Sequence, residues 1–406
     1  CLSLYGQHIM GLLWKGMDGI IYRGHNEETF KYESGVRLYM KVEERDELLI
    51  RMDERVKTVF NRMEKFETLF TNHLSHHEQW ENDIRTQMRW WVAVALTAHV
   101  GSAREKEGRT GFAHLFEHLL FLESENLGKG GLDKLSARIG GSGANGSTSR
   151  DRTNYFQTVP KDALEKMIWA EADKLGYFIN TVTEPVLAKE KQVVKNEKRQ
   201  GVDNRPYGHT MYVLDKNLYP EDHPYNWQVI GSLEDLQNAT LQDVKDFYNR
   251  WYVPNNVTLT IAGDFDREQA KEWVHKYFDE IPRGPEVARQ EKQMVELDET
   301  KKLYYEDNFA RLPELTIAWP SVYSYHEDSY ALEVLANYLS DGKNAPLYQH
   351  LVAEKELTDR VQMFNYTSEL AGQLMLQVTA YNEVDLDAVE DAVFETFKKF
   401  DAEGIP

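Results

Sequence analysis

Apolar positions from Leu49 to Ile84 recur at alternating spacings of three and four: Leu49, Met52, Val56, Val59, Met63, Phe66, Phe70, His73, His77, Trp80 and Ile84, with charged residues filling most positions between. This a/d heptad seam predicts one long helix over about residues 46–86 whose stripe seeks a partner. His73 and His77 share a face of that helix, but without an acid or cysteine at ligand spacing they read as seam or surface residues. Ahead of the helix the chain has scattered glycines and aromatics with no firm period, and only Ser34–Met40 suggests a strand.

Beyond Gln87 the pattern changes to alternating strands and helices. Trp91–Val100 is a continuous apolar run stopped by Gly101, which predicts a buried strand. A helix follows over Thr110–Glu123, then a Gly- and Ser-rich loop over Gly140–Ser149, and a strand over Thr153–Val159. Next come a helix opened by Pro160-Lys161-Asp162 and running to about Tyr177, and another from about Pro185 to Gln200. Leu241–Tyr248 predicts a helix, Val257–Ala262 a strand closed by Gly263-Asp264, and Arg267–Phe278 a helix. Pro282-Arg283-Gly284-Pro285 punctuates the chain. A second set has strands near Lys302–Glu306, Glu314–Trp319 and Gly372–Ala380. Its helices lie near Ser329–Leu339 and Pro346–Glu354, with a last one on Val384, Leu386, Val389, Val393, Phe394 and Phe397. The fold class is therefore α+β: two consecutive units, each an antiparallel-rich sheet packed by helices, preceded by the heptad helix. The expected division is 1–86, 87–285 and 297–406. A chain opening at Cys1 without Met reads as a fragment or a processed chain, the sharper form being a lipoprotein with a lipid-modified Cys1. One that stops at Pro406 directly after a helix reads as truncated at its C-terminus.

Composition narrows the partners. Of 406 residues, 47 are Lys or Arg and 67 are Asp or Glu, a net charge of −20 that argues against a dedicated nucleic-acid binder, since phosphate would be repelled on average. A hydrophobic fraction of 41% excludes wholesale disorder. The single cysteine forbids an intrachain disulfide, so packing or a metal must supply the stability. The apolar run Trp90–Ala98 is about half of the roughly 20 residues a spanning helix needs, so no membrane span is expected. The compartment stays open, with a bacterial periplasmic or secreted site ahead of a cytoplasmic one.

The chemistry concentrates in His114-Leu115-Phe116-Glu117-His118. Histidines at i and i+4 project from one helix face about a turn apart, a separation from which both imidazoles reach a single tetrahedral Zn²⁺. Glu117 lies beside them, where a carboxylate acts as the general base of a zinc hydrolase. A third ligand is needed, and Glu190 and Glu197 stand two turns apart on one face of a downstream helix. Spacing alone admits either.

These residues resemble the inverzincins, the insulinase and pitrilysin type of zinc peptidase, in which H-x-x-E-H replaces the commoner H-E-x-x-H. The flanking residues carry the resemblance further: His99–Glu105, Gly108–Phe121, Gly141–Thr148, Thr153–Phe156, Asn204–Gly208, His223–Tyr225, Ile230–Leu236, Phe247-Tyr248, Pro254–Asn256 and Ala262–Asp264. It covers about residues 91–406. It implies one Zn²⁺ per chain held by His114, His118 and Glu197, with Glu117 as base and Glu190 as a supporting residue that orients a ligand histidine. It also implies that Ala144, Asn145, Gly146, Ser147 and Thr148 bind extended peptide by strand addition. Single-chain members carry a second half and shorter ones pair two chains, so the resemblance implies a half-enzyme needing a homologous half or a partner subunit. The expected function is zinc-dependent endopeptidase or oligopeptidase. The alternatives are a non-catalytic peptide-binding subunit of the same fold and an assembly protein organised by the heptad helix.

Overall fold

A computed structural model describes residues 90–403 together with the short antiparallel pair Phe30–Lys31 and Arg37–Leu38. The heptad helix expected over 46–86, with His73 and His77, lies outside the described residues.

The first sheet is built around β1 (Trp91–Ala98), which pairs antiparallel with β3 (Thr153–Pro160) on one side and β4 (Val257–Gly263) on the other. The short β2 (Asn145–Thr148) pairs with β3, giving the order β2-β3-β1-β4. Val92, Val94, Leu96 and Ala98 are buried, whereas Trp91 is 41% exposed. The apolar run is thus buried on one face only, not on both as its composition predicts, because the helices cover one side of the sheet. Leu96 and Ala98 pack against α1 (Phe112–Leu122) through Phe112, Leu115, Phe116 and Leu119. Val92 and Val94 pack against α3 (Leu164–Tyr177) and α8 (Arg267–Phe278). The α2 helix (Gly131–Arg138) leads toward β2, and α4 (Glu184–Lys198) returns over α1. Then come α5 (Thr210–Leu218), α6 (Leu233–Asn238) and α7 (Leu241–Trp251). Thr240 opens α7 with a capping box to Asp243.

A second sheet holds β5 (Glu314–Ser321), β6 (Thr358–Thr367) and β7 (Gly372–Ala380), antiparallel in the order β5-β7-β6. Leu376 and Val378 of β7 share a core with Ala336 and Leu339 of α9 (Glu327–Ser340) and Val389, Ala392 and Val393 of α10 (Leu386–Glu403). Both sheets are antiparallel and helix-packed, as the α+β reading requires.

Several local expectations change. Lys302–Glu306 forms no strand: its residues face solvent and no ladder partner lies alongside. The helix expected over Pro346–Glu354 is a π-helix over Tyr348–Glu354. β6 shifts its pairing register between Thr358 and Val361, and only from Val361 on do its buried and exposed positions alternate.

The segment before the second sheet is tied to the first by a buried ion pair. Arg150 Nη2 lies 2.7 and 2.6 Å from the two Asp215 oxygens. Gln228 and, from β7, Gln373 also donate to Asp215. The Arg150 guanidinium lies over the rings of Tyr219, Tyr225 and Tyr366.

Candidate metal centre

The helix that carries the motif is fixed at both its start and its flank. Gly111, its N-cap, has φ +88°, and a Cβ there would meet Ile230 O at 2.8 Å, so glycine is required by both torsion and space. Glu105 takes the place of a capping side chain: its carboxylate accepts from Gly111 N (2.9 Å) and Ala113 N (2.8 Å). Burial pushes Glu105 up to about 8, over the opposing pull of these N–H donors. Thr110 is held from the other side by Asp235, which accepts from both its N–H and its hydroxyl. The Tyr155 hydroxyl on β3 donates to Phe116 O (3.1 Å), pinning the helix to the sheet. With Phe112, Leu115, Phe116 and Leu119 in the core, the 3.6 period turns His114, Glu117 and His118 to the opposite stripe.

The facing helix α4 supplies the carboxylates. Pro185 lies in its first turn, and Leu187, Glu190 and Val194 form its buried stripe. Glu197 continues that stripe by one more turn and emerges beside the histidines. His118 Nε2 lies 3.0 Å from one Glu197 oxygen and His114 Nε2 3.7 Å from the other. The three ligand atoms all lie within 4.8 Å of one another. The imidazoles stand edge to face, centroids 4.9 Å apart. Burial, with His118 beside it, pushes His114 down to about 4, so it is neutral at pH 7 with a lone pair free to donate.

Glu117 and the glycine-rich segment also meet. Thr148 Oγ1 donates to Glu117 Oε2 at 2.5 Å. The other four residues of that segment are arranged differently. Asn145 Oδ1 accepts from Gly146 N, and the Ser147 hydroxyl donates to Asn154 on β3. Gly146 lies against Glu117, while Ala144 stands just ahead of the strand. Glu190 is 4% exposed, and the buried His114 Nδ1 has no hydrogen-bond partner among the described residues. The support expected from Glu190 is therefore not formed at that nitrogen in this arrangement. Sequence reasoning named neither the Glu105 cap nor the Asp235 and Tyr155 anchors. Glu105 closes the His99–Glu105 segment, but its role appears only when it folds back on the helix start.

The donor set fits zinc. A Zn²⁺ bonded at about 2.0–2.2 Å to two nitrogens and an oxygen places these atoms about 3.3–3.5 Å apart, close to the 3.0 and 3.7 Å seen here. Two imidazole Nε2 atoms and a carboxylate oxygen are donor types that Zn²⁺ takes, and they converge from two facing helices. A pair of histidines on one helix, a glutamate from a facing helix and a second glutamate beside them, set on a helix-packed antiparallel sheet, define a metallopeptidase-like class of protein.

Comparison with known proteins gives that class a family. Residues 85–219 match the family "Insulinase (Peptidase family M16)", and residues 238–406 match "Peptidase M16 inactive domain". The chain belongs to the insulinase-type M16 peptidase family. It is 32% identical over 281 residues to the zinc protease PqqE of Helicobacter pylori, covering 69% of this chain and 62% of that protein. It thus spans about three fifths of that relative's length. An uncharacterized zinc protease of Bacillus subtilis, YmxG, is 25% identical over 316 residues, 77% of this chain and 74% of that one. Among solved structures, a Helicobacter pylori protease superposes with a TM-score of 0.72 at 28% identity, covering 78% of this chain and 76% of its own. Pitrilysin superposes with a TM-score of 0.62 at 19% identity, a likeness of fold, with the match covering 34% of its length. No helix among the described residues is long and apolar enough to cross a membrane.

Proposed function

We propose that this chain is a zinc metallopeptidase that hydrolyses extended peptides. The observation that carries the reading is the convergence of His114, His118 and Glu197 ligand atoms within 4.8 Å, with Glu117 anchored on the same helix face. His114, His118 and Glu197 would hold one Zn²⁺. When bound there, the ion supplies Lewis acidity, which makes water acidic near neutral pH and polarises a carbonyl. Glu117 takes the proton from the attacking water and delivers it to the leaving amine. His114, kept neutral by burial, stays a donor across physiological pH. Glu190, buried on the same helix stripe as Glu197, would support the site without a bond to His114 Nδ1.

The peptide would add to the sheet along Asn145–Thr148, because β2 is an end strand of its sheet with β3 on one side only. Its main-chain groups then meet the substrate backbone, which favours broad selectivity over reading of side chains. The proposed division places the chemistry in 87–285, with 297–406 as a related second domain. We further propose that turnover needs a second homologous half or a partner subunit: the match to pitrilysin takes up only 34% of that chain, and the match to the periplasmic protease PqqL of Escherichia coli only 36%. The latter is described as periplasmic, which supports a periplasmic or secreted site for this chain.

A non-catalytic subunit is the second reading. It is favoured by the match of residues 238–406 to a domain described as inactive. That region contributes none of His114, Glu117, His118 or Glu197, so the two readings separate on the first region alone. Glu117→Gln is the test: on a quenched peptide panel the peptidase reading expects zinc retained and hydrolysis lost. Turnover equal to the parent's would refute it.

A further inference from the structure

The strand that closes the glycine-rich segment makes a specific contact with the proposed base. Thr148 Oγ1 donates to Glu117 Oε2 at 2.5 Å, a contact between a strand hydroxyl and a helix carboxylate. Two residues earlier, on the same face of β2, Gly146 leaves the space that Glu117 fills. A Cβ built there would lie 3.1 Å from Glu117 Cγ and 3.1 Å from the Phe121 ring. The Glu117 side chain is therefore boxed between the helix it leaves and the strand opposite, with glycine at its stem and threonine at its tip. Thr148 is its only hydrogen-bond partner among the described residues.

The terminal torsion of a glutamate is soft and broad, so a carboxylate on a helix surface samples many orientations. A donor on one oxygen removes that freedom and leaves the other oxygen as the acceptor. Thr148 lies at the end of β2, whose partner strand β3 also holds the motif helix through Tyr155. We propose that Thr148 is a positioning residue for Glu117: its hydroxyl fixes Oε2, so that Oε1 alone is presented to the water whose proton it takes. This rests on the peptidase reading above.

The test uses the full chain loaded with zinc, as parent, Thr148→Val, Thr148→Ser and Glu117→Gln. Zinc content is measured by metal analysis, kcat and KM on a quenched peptide, and the Glu117 carboxylate is observed in crystal structures. Thr148→Val removes the donor at constant shape. It should keep its zinc and its KM, lower kcat about 10- to 100-fold, and let the carboxylate occupy more than one orientation. Thr148→Ser should restore both kcat and the single orientation. The proposal is overturned if Thr148→Val matches the parent in kcat and carboxylate orientation, or if Thr148→Ser is as impaired as Thr148→Val. If Glu117→Gln turns over like the parent, it is the peptidase reading that has failed. Should neither parent nor variants turn over, the orientation decides: an unmoved carboxylate in Thr148→Val overturns the proposal.

Discussion

At the scale of residues, the site is a matter of which carboxylate stands where. Glu190 and Glu197 are indistinguishable by spacing, each one helix repeat along the same stripe. The structure separates them by depth: Glu190 sits in the packed part of α4, while Glu197 lies a turn beyond Val194 with its side chain 47% exposed, 3.0 Å from His118 Nε2. Glu197→Ala is accordingly expected to lower zinc content at least tenfold at equal free metal, with Glu190→Ala less severe, both read by metal analysis after dialysis. Equal zinc in parent and Glu197→Ala would remove that residue from the ligand set. The two histidines and Glu117 were legible because a five-residue motif on a helix fixes their mutual face. The Thr148 contact was not, because it joins residues 31 apart through space and no local period marks it.

At the scale of elements, the motif helix depends on a cap borrowed from a neighbouring turn. Glu105 is buried and raised to about 8, whereas the unfolded carboxyl ionises near 4.5. Between those values the folded chain keeps a proton that the unfolded chain has released, so this group's contribution is full below about pH 4.5 and is lost as pH rises through about 8. Denaturant unfolding at pH 5.5 and 7.5 should show stability falling with pH in the parent, and a flatter dependence in Glu105→Gln. An identical slope in both would exclude the effect. Most elements were readable from the alternation of apolar and polar positions: Arg267–Phe278 and Gly372–Ala380 coincide with their expected bounds. The short helices α2, α5 and α6 passed unnoticed because eight, nine and six residues barely complete the turns that a periodicity needs. Trp91–Ala98 misled in another way: an apolar residue on both faces says that a strand can be buried twice, not that helices arrive on both sides.

At the scale of the molecule, the two sheets are joined through a charge pair that no sequence pattern announces. Arg150 follows β2, Asp215 lies in α5 and Gln373 in β7, three places far apart in the chain that meet at one buried carboxylate. Removing one partner leaves the other charge buried and unpaired, so Asp215→Ala should cost about 3–5 kcal/mol in denaturant unfolding. A double change, Arg150→Met with Asp215→Leu, should cost less than the single one; additivity of the two would show that no coupling exists. The site residues and both sheets lie within residues 90–403, so deletion of residues 1–86 is expected to leave zinc content unchanged, and loss of zinc on that deletion would assign the N-terminal segment a part in the site. The central claim is tested most directly by measuring zinc stoichiometry and peptide cleavage on the same sample, with and without a complementary half, for parent and Glu117→Gln. The account predicts one zinc per chain in both proteins and cleavage in the parent alone. A parent that binds no zinc, or that binds it and cleaves nothing even with the complementary half, would contradict it.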